Sequence, residues 1–257
     1  MTLATQPSNE DLKLHTLASD ALRDAVSVGS QARDAGGTGL TPMIDGALSA
    51  RDLLGDSPVA SAIDELVTIG RWQGVLNPDS ASLWLESELN DLLSDLDFKP
   101  TIEAELPLGF PGPTPVRLIE LKQYPAYRSV SADLGGMGSG GAFWKLFAHI
   151  STKDIAMTAP VEMSYESKGS EMRESKMAFL YGDPEIGTPG VDGLVEVKDA
   201  EAGWVVSLGC RGIETDGKLK RAYADLLAWV ADRPSLAVDG DMRVMGYNSP
   251  MVIGNRR

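Results

Sequence analysis

The sequence predicts an α+β protein in which an antiparallel β-sheet carries two packed helices, preceded by an all-helical N-terminal segment. From residue 9 to residue 96, apolar residues recur at the three- and four-residue spacing of a helix face. A stretch dense in proline and glycine follows at residues 100–114. Beyond it, short runs typical of strands are interrupted by two helical stretches. Helices followed by a mixed segment favour the α+β class.

Four amphipathic helices are predicted in the N-terminal segment. Capping residue types at positions 8–11 precede the first helix, and the glycines around positions 36–39 end it. Pro58 is placed to open the third helix, and Asn77-Pro78 marks the turn before the fourth. We expect a small bundle or a helical layer, because each helix has one apolar side. Nothing in this segment indicates chemistry, but its helices offer a surface for a protein partner.

The changes of pattern divide the chain into three parts. Residues 1–99 are expected to form the helical segment, residues 100–114 a linker stiffened by proline, and residues 115–257 a second domain. In that domain a Tyr124-Pro125 turn is expected to join the first two strands as a hairpin. Strands are predicted at residues 116–123, 127–134, 155–165, 176–181, 194–198, 204–210 and 243–247, and helices at residues 141–150 and 216–232. This order suggests two similar halves around one sheet.

The charge of the chain argues against two kinds of partner. Its 257 residues carry a formal net charge of −14, which repels the phosphates of nucleic acids and the headgroups of anionic lipids. No apolar run approaches the ~20 residues that span a bilayer. The N-terminus lacks the basic and apolar regions of a signal peptide. The single cysteine, Cys210, fits a reducing compartment. We therefore expect a soluble, cytoplasmic protein that binds no nucleic acid.

A glycine-rich loop at Gly136–Gly141 fits the spacing of a dinucleotide-binding loop. It follows a predicted strand and opens a predicted helix, where backbone N–H groups could hold a pyrophosphate. The helix is short, however, and no further strand–helix–strand alternation follows. The first acidic candidate, Asp154, precedes the next strand instead of ending it. We interpret the loop as a flexible hinge between a strand and a helix.

Residue patterns of common catalytic sites are largely absent from the sequence. The two histidines, His15 and His149, do not have metal-binding spacing. Ser139 is not in a G-x-S-x-G elbow, because position 137 is methionine. A nucleophilic pair of Cys210 and His149 would need the two to meet in space. The sequence therefore indicates binding without turnover, and no catalytic residue is assigned.

Four stretches of the C-terminal part resemble the SOUL heme-binding protein family. Residues 120–128 contain Tyr-Pro followed by a second aromatic residue, and residues 141–150 read GAFWKLFAHI. Residues 154–161 read DIAMTAPV, and residues 246–257 contain GYNSPM and a final NRR. The order and the spacing of the four stretches also match the family.

The resemblance implies an antiparallel sheet or open barrel with two packed helices. It also implies non-catalytic binding of heme or a related porphyrin in a shallow apolar groove. A histidine is a usual ligand of heme iron, so His149 is the candidate metal ligand. Apolar residues would contact the macrocycle and cations its propionates. The other candidate contacts are Phe143, Trp144, Met157, Arg128, Lys145, Tyr247, Pro250, Met251 and Arg256.

The predicted helix at residues 141–150 arranges several of these candidates. Its core face is expected to carry four apolar residues at i, i+3, i+4 and i+7, with Trp144 and His149 on opposite flanks. The four are Phe143, Leu146, Phe147 and Ile150.

Other functions stay open at this point. Domains in which two similar halves form one β-sheet also serve as effector-binding modules. The ligand could therefore be another apolar small molecule. An enzyme built on this scaffold would use acidic groove residues. If the ligand is a tetrapyrrole, binding could serve buffering, transport or sensing.

Overall fold

The computed structural model of the chain describes residues 9–55, 57–101, 103–168, 171–212 and 215–249. Two compact units are present. One comprises Met1–Lys99, Thr114–Glu120 and Leu208–Cys210, and the other Pro100–Pro113, Leu121–Ser207 and Arg211–Arg257. The stretch Pro100–Pro113 thus belongs to the second unit. The α+β class predicted from the sequence is confirmed.

The first unit contains the four predicted helices. They are α1 (Asn9–Asp34), α2 (Leu40–Leu54), α3 (Pro58–Leu76) and α4 (Pro78–Leu96). The side chain of Ser57 accepts a hydrogen bond from the N–H of Ala60, and that of Asn77 accepts one from the N–H of Ser80. Each cap therefore satisfies a backbone donor that α3 or α4 leaves without a partner. The apolar sides of the helices share a core that includes Leu22, Met43, Ile63, Leu85 and Leu89.

In the described residues after α4, the other elements are mostly strands, with a helix after β2 and another after β7. The strands are β1 (Ile119–Tyr124), β2 (Tyr127–Asp133), β3 (Val161–Lys168), β4 (Glu171–Leu180), β5 (Gly190–Asp192), β6 (Val195–Ala200), β7 (Gly203–Leu208) and β8 (Arg243–Gly246). The helices are α5 (Gly138–Thr152) and α6 (Asp216–Ala231), and a 3-10 turn at Gly135–Met137 precedes α5.

Six strands form one sheet in the order β5-β6-β2-β4-β3-β8, and every neighbouring pair is antiparallel. Val130 of β2 lies opposite Phe179 of β4 and opposite Val197 of β6. These three side chains belong to a core cluster that includes Leu146 of α5, and we call this side of the sheet the helix face. The side chains of successive residues in a strand point to opposite faces of the sheet. The residues next to Val130, Phe179 and Val197 in the chain therefore point away from the helix face.

Residues 103–113, which we call the strap, contribute to a second core cluster. Phe110 of the strap is buried together with Tyr124, Tyr127 and Leu180. Tyr127 and Leu180 alternate with Val130 and Phe179 along β2 and β4, which places them on the opposite side of the sheet. We call that side the strap face.

The structure differs from the sequence predictions in several strands. β4 begins at Glu171, five residues before its predicted start. β1 pairs with β7 in a separate two-stranded sheet, so the expected hairpin of β1 and β2 is wrong. β3 begins only at Val161, because Pro160 before it has no N–H to donate to a ladder. β5 was not predicted, since it has three residues and begins at Gly190. No helix in the described part of the chain has the length and apolar character needed to cross a membrane.

Candidate functional site

Helix α5 positions most of the candidate residues. Its buried side consists of Ala142, Leu146, His149 and Ile150, a set that recurs at three and four residues. This side packs on the helix face of the sheet. The helix begins at Gly138, three residues before the predicted start, and Ser139 in its first turn donates a hydrogen bond to Glu174 on β4.

The prediction that Phe147 lies in the core is wrong. Its exposed fraction is 39%, because the buried side of α5 is centred on Leu146 and turned away from Phe147. The ring of Phe147 lies 6.0 Å from that of Phe143 and 5.8 Å from that of Trp144. Phe143 is half-buried, and its ring meets Phe179 of the sheet at 5.3 Å.

Together, Phe143, Trp144 and Phe147 form what we call the aromatic patch. The Trp144 side chain is 67% exposed and lies at the solvent side of the patch. Phe143 anchors the other two rings to the sheet through Phe179. The Phe143 and Phe147 rings are nearly parallel, at 9°, and the Trp144 ring stands edge-on to both. The patch is therefore an exposed apolar surface that the sheet supports.

His149 lies on the buried side of α5, so its predicted position on a flank of the helix is wrong. Its Nε2 lies 2.9 Å from the hydroxyl oxygen of Tyr181, and its Nδ1 lies 3.1 Å from Oδ2 of Asp192 on β5. Burial lowers the pKa of His149, and the nearby Asp192 carboxylate offsets part of this effect. A neutral imidazole in this position donates from Nδ1 to Asp192 and accepts at Nε2 from Tyr181.

These contacts bear on iron ligation. Both ring nitrogens of His149 already have protein partners, so binding to iron requires one hydrogen bond to break. The ligation that the family resemblance implies for His149 therefore competes with these two hydrogen bonds. In the described residues, no group of three or more His, Cys, Asp or Glu side chains is arranged for a metal ion.

The two candidate cations on described elements differ in their surroundings. Arg128 on β2 forms a two-pronged ion pair with Asp199, at 2.6 and 3.0 Å, and donates to the carbonyls of Ile186 and Gly187. Its hydrogen-bonding capacity is largely used. Lys145 on α5 is half-buried and makes no ion pair with the part of the chain that the structure describes. Lys145 is therefore the better placed of the two for a propionate.

The other candidates are scattered. Met157 is 38% exposed in the loop before β3. Tyr247 is half-buried and helps to line a cavity of about 20 Å³ together with Leu106 and Ala159, among others. Such a volume holds roughly one water molecule, so it does not admit a macrocycle. Pro250, Met251 and Arg256 lie outside the described residues.

Sequence reasoning missed a polar cluster on the strap face. The hydroxyl of Tyr127 donates to Glu162 and accepts from Arg243, with both distances 3.0 Å. Burial and the neighbouring Glu162 carboxylate raise the pKa of Tyr127 to about 12. The three residues come from β2, β3 and β8, and only the sheet order brings them together. Alternation along each strand was the available signal, but it does not reveal strand neighbours.

Comparisons with known proteins give a family. A family model described as SOUL heme-binding protein matches residues 114–257. No curated protein matches the chain. Among solved structures, the crystal structure of the EcmrR C-terminal domain is similar at 19% identity and a TM-score of 0.36, over 49% of this chain and 81% of that one. The cryo-EM structure of the EcmrR–DNA complex in EcmrR-RPo is similar at 18% identity and a TM-score of 0.36, over 49% of this chain and 48% of that one.

Proposed function

The chain belongs to the SOUL heme-binding protein family, and we propose that it binds heme or a related tetrapyrrole, without turnover, on the aromatic patch of α5. The single observation that carries this location is the exposed Trp144 ring, supported by Phe143 and Phe147. An apolar ring exposed to this extent gains free energy when a flat apolar ligand covers it.

The residues present fit the macrocycle better than they fit its iron. The aromatic patch offers stacking for the ring system, and Lys145, on the same helix, offers a charge for a propionate. Heme supplies redox and ligand-binding chemistry at its iron when bound. The chain's own residues would hold and orient the ring, and the hydrogen bonds of His149 favour binding without that imidazole on the iron.

Several finer points stay predictions. They are the choice of tetrapyrrole, a role in buffering, transport or sensing, the cytoplasmic location and a protein partner for the N-terminal helices. Contacts from Met157, Tyr247 and Arg128 also stay predictions, as do those from Pro250, Met251 and Arg256.

Hemin titration followed by absorbance tests the proposal. We expect a Soret band that saturates at one hemin per chain. A metal-free porphyrin, followed by quenching of tryptophan fluorescence, should bind with similar affinity because the ring system makes the contacts. Absence of any spectral change at micromolar protein would overturn the proposal.

A further inference from the structure

An aromatic cradle lies under the strap, on the strap face of the sheet. The Phe110 ring lies 4.4 Å from the ring of Tyr124 and meets that of Tyr127 edge-on at 5.6 Å. All three side chains are buried, and Leu180 forms part of the same cluster. The strap thus inserts one aromatic side chain between two tyrosines.

One end of the cradle is charged. Glu162 and Arg243 flank the Tyr127 hydroxyl, and Nη1 of Arg243 lies 3.3 Å from Oε2 of Glu162. The Glu162 side chain is 13% exposed and that of Arg243 is 33% exposed. An ion pair shielded in this way contributes little to stability compared with apolar residues of the same size. A charged pair at the end of an apolar cradle suits a ligand that has one aromatic end and one charged end.

Arg243 retains donors for a further partner. The hydrogen bonds of its side chain to other described residues all come from Nη1, so among these residues Nε and Nη2 have no partner and form two parallel donors. This fork matches a carboxylate. Tyr127 joins the two halves of the site, because its ring meets Phe110 and its hydroxyl meets Arg243. A ligand about as long as a tyrosine side chain would therefore reach both.

The strap is fastened by few main-chain hydrogen bonds. The N–H of Leu108 donates to the carbonyl of Gly182, and the N–H of Ala159 donates to that of Glu105. Pro107, Pro111 and Pro113 have no N–H, so the strap cannot pair with the sheet as a continuous strand. The Lys122 ammonium also donates to the carbonyl of Gly112, and Ser249 donates to the Glu103 carboxylate from its N–H and its hydroxyl. None of these bonds involves Phe110, so its side chain can leave the cradle while the two ends of the strap stay attached.

We propose that the strap face is a second binding site for a planar aromatic carboxylate, and that Phe110 of the strap occupies its aromatic half until the ligand displaces it. The ligand ring takes the place of Phe110 between Tyr124 and Tyr127, and its carboxylate binds the free fork of Arg243. This site lies on the opposite face of the sheet from α5, so it goes beyond the proposed tetrapyrrole binding.

The test measures binding of 2-naphthoate and of neutral 2-naphthamide by calorimetry. The Phe110→Ala variant should bind 2-naphthoate at least about tenfold more tightly than the wild type, because the ligand no longer competes with the phenyl ring. Leu108→Ala is the matched control, since Leu108 is on the same strap but 68% exposed. It should bind like the wild type.

Substitution of Arg243 tests the role of its charge in binding the carboxylate. Adding Arg243→Gln to Phe110→Ala should weaken 2-naphthoate binding about tenfold and leave 2-naphthamide binding unchanged. If that variant does not fold, Arg243→Lys keeps the charge, lacks the planar fork and should weaken binding in the same direction. The proposal is overturned if Phe110→Ala binds no more tightly than Leu108→Ala, or if Arg243 variants affect both ligands equally. Hemin titration of the same variants reports on the α5 site separately.

Discussion

The hydroxyl of Tyr181 lies 2.9 Å from Nε2 of His149, and both groups are buried. On its other side, the imidazole contacts Asp192, whose carboxylate also lies 3.0 Å from the ammonium of Lys153. These contacts run from the buried hydroxyl of Tyr181, the residue directly after β4, to the surface at β5. The contacts connect α5 to β5, the short strand at the edge of the sheet.

This arrangement predicts a pH dependence of stability. Burial lowers the pKa of His149 from its ordinary value of 6.5, so the unfolded chain binds the proton more tightly than the folded one. The free energy of unfolding therefore decreases as pH falls from about 6.5. Urea unfolding of the wild type and of His149→Asn between pH 7.5 and 5 measures the difference. His15, whose pKa is also lowered by burial, is the same in both proteins. Equal slopes would contradict the assignment.

His149→Ala separates a structural role from iron ligation. Removing the imidazole leaves the buried Tyr181 hydroxyl without its partner, which should cost about 1–3 kcal/mol of the free energy of unfolding. We expect the hemin complex of the variant to keep the position of its Soret band. A shifted band, with tight binding retained, would show that His149 ligates the iron.

Neighbouring positions on α5 should respond differently to truncation. Leu146 is fully buried against the helix face, so Leu146→Ala should cost about 2–5 kcal/mol of unfolding free energy. Phe147→Ala should cost less than Leu146→Ala, because its ring is 39% exposed. Denaturant unfolding measures both. A larger loss for Phe147→Ala would contradict the orientation of α5.

Much of the fold was predictable because its signals are local. Helical periodicity, Pro58 and the Asn77-Pro78 turn indicate the bundle, and alternation indicates most strands. Pairing was not predictable in the same way: β1 joins β7 instead of β2, because the choice depends on contacts far apart in sequence. The same reason hid the partners of His149, since Tyr181 and Asp192 lie on other elements. Phe147 was misplaced because the apolar runs at residues 142–144 and 146–148 surround most of the helix, so more than one core face fits the pattern.

The charge of Lys145 should matter for a ligand that carries carboxylates. Lys145→Glu is expected to weaken hemin binding about threefold to tenfold, because it places a negative charge near a propionate. Binding of protoporphyrin dimethyl ester, which has no free carboxylates, should be unchanged. Lys220→Glu on α6 makes the same charge change elsewhere and serves as the control. Equal weakening by both variants would indicate a general effect of net charge.

Hemin titration of a matched pair of tryptophan variants tests the central claim most directly. Trp144 on the aromatic patch is 67% exposed, and Trp72 on α3 is 68% exposed, so their replacement removes equally accessible rings. If the tetrapyrrole binds on the patch, Trp144→Ala should weaken hemin binding about tenfold, and Trp72→Ala should bind like the wild type. Equal affinities of the wild type and of Trp144→Ala would contradict binding of the tetrapyrrole at this site.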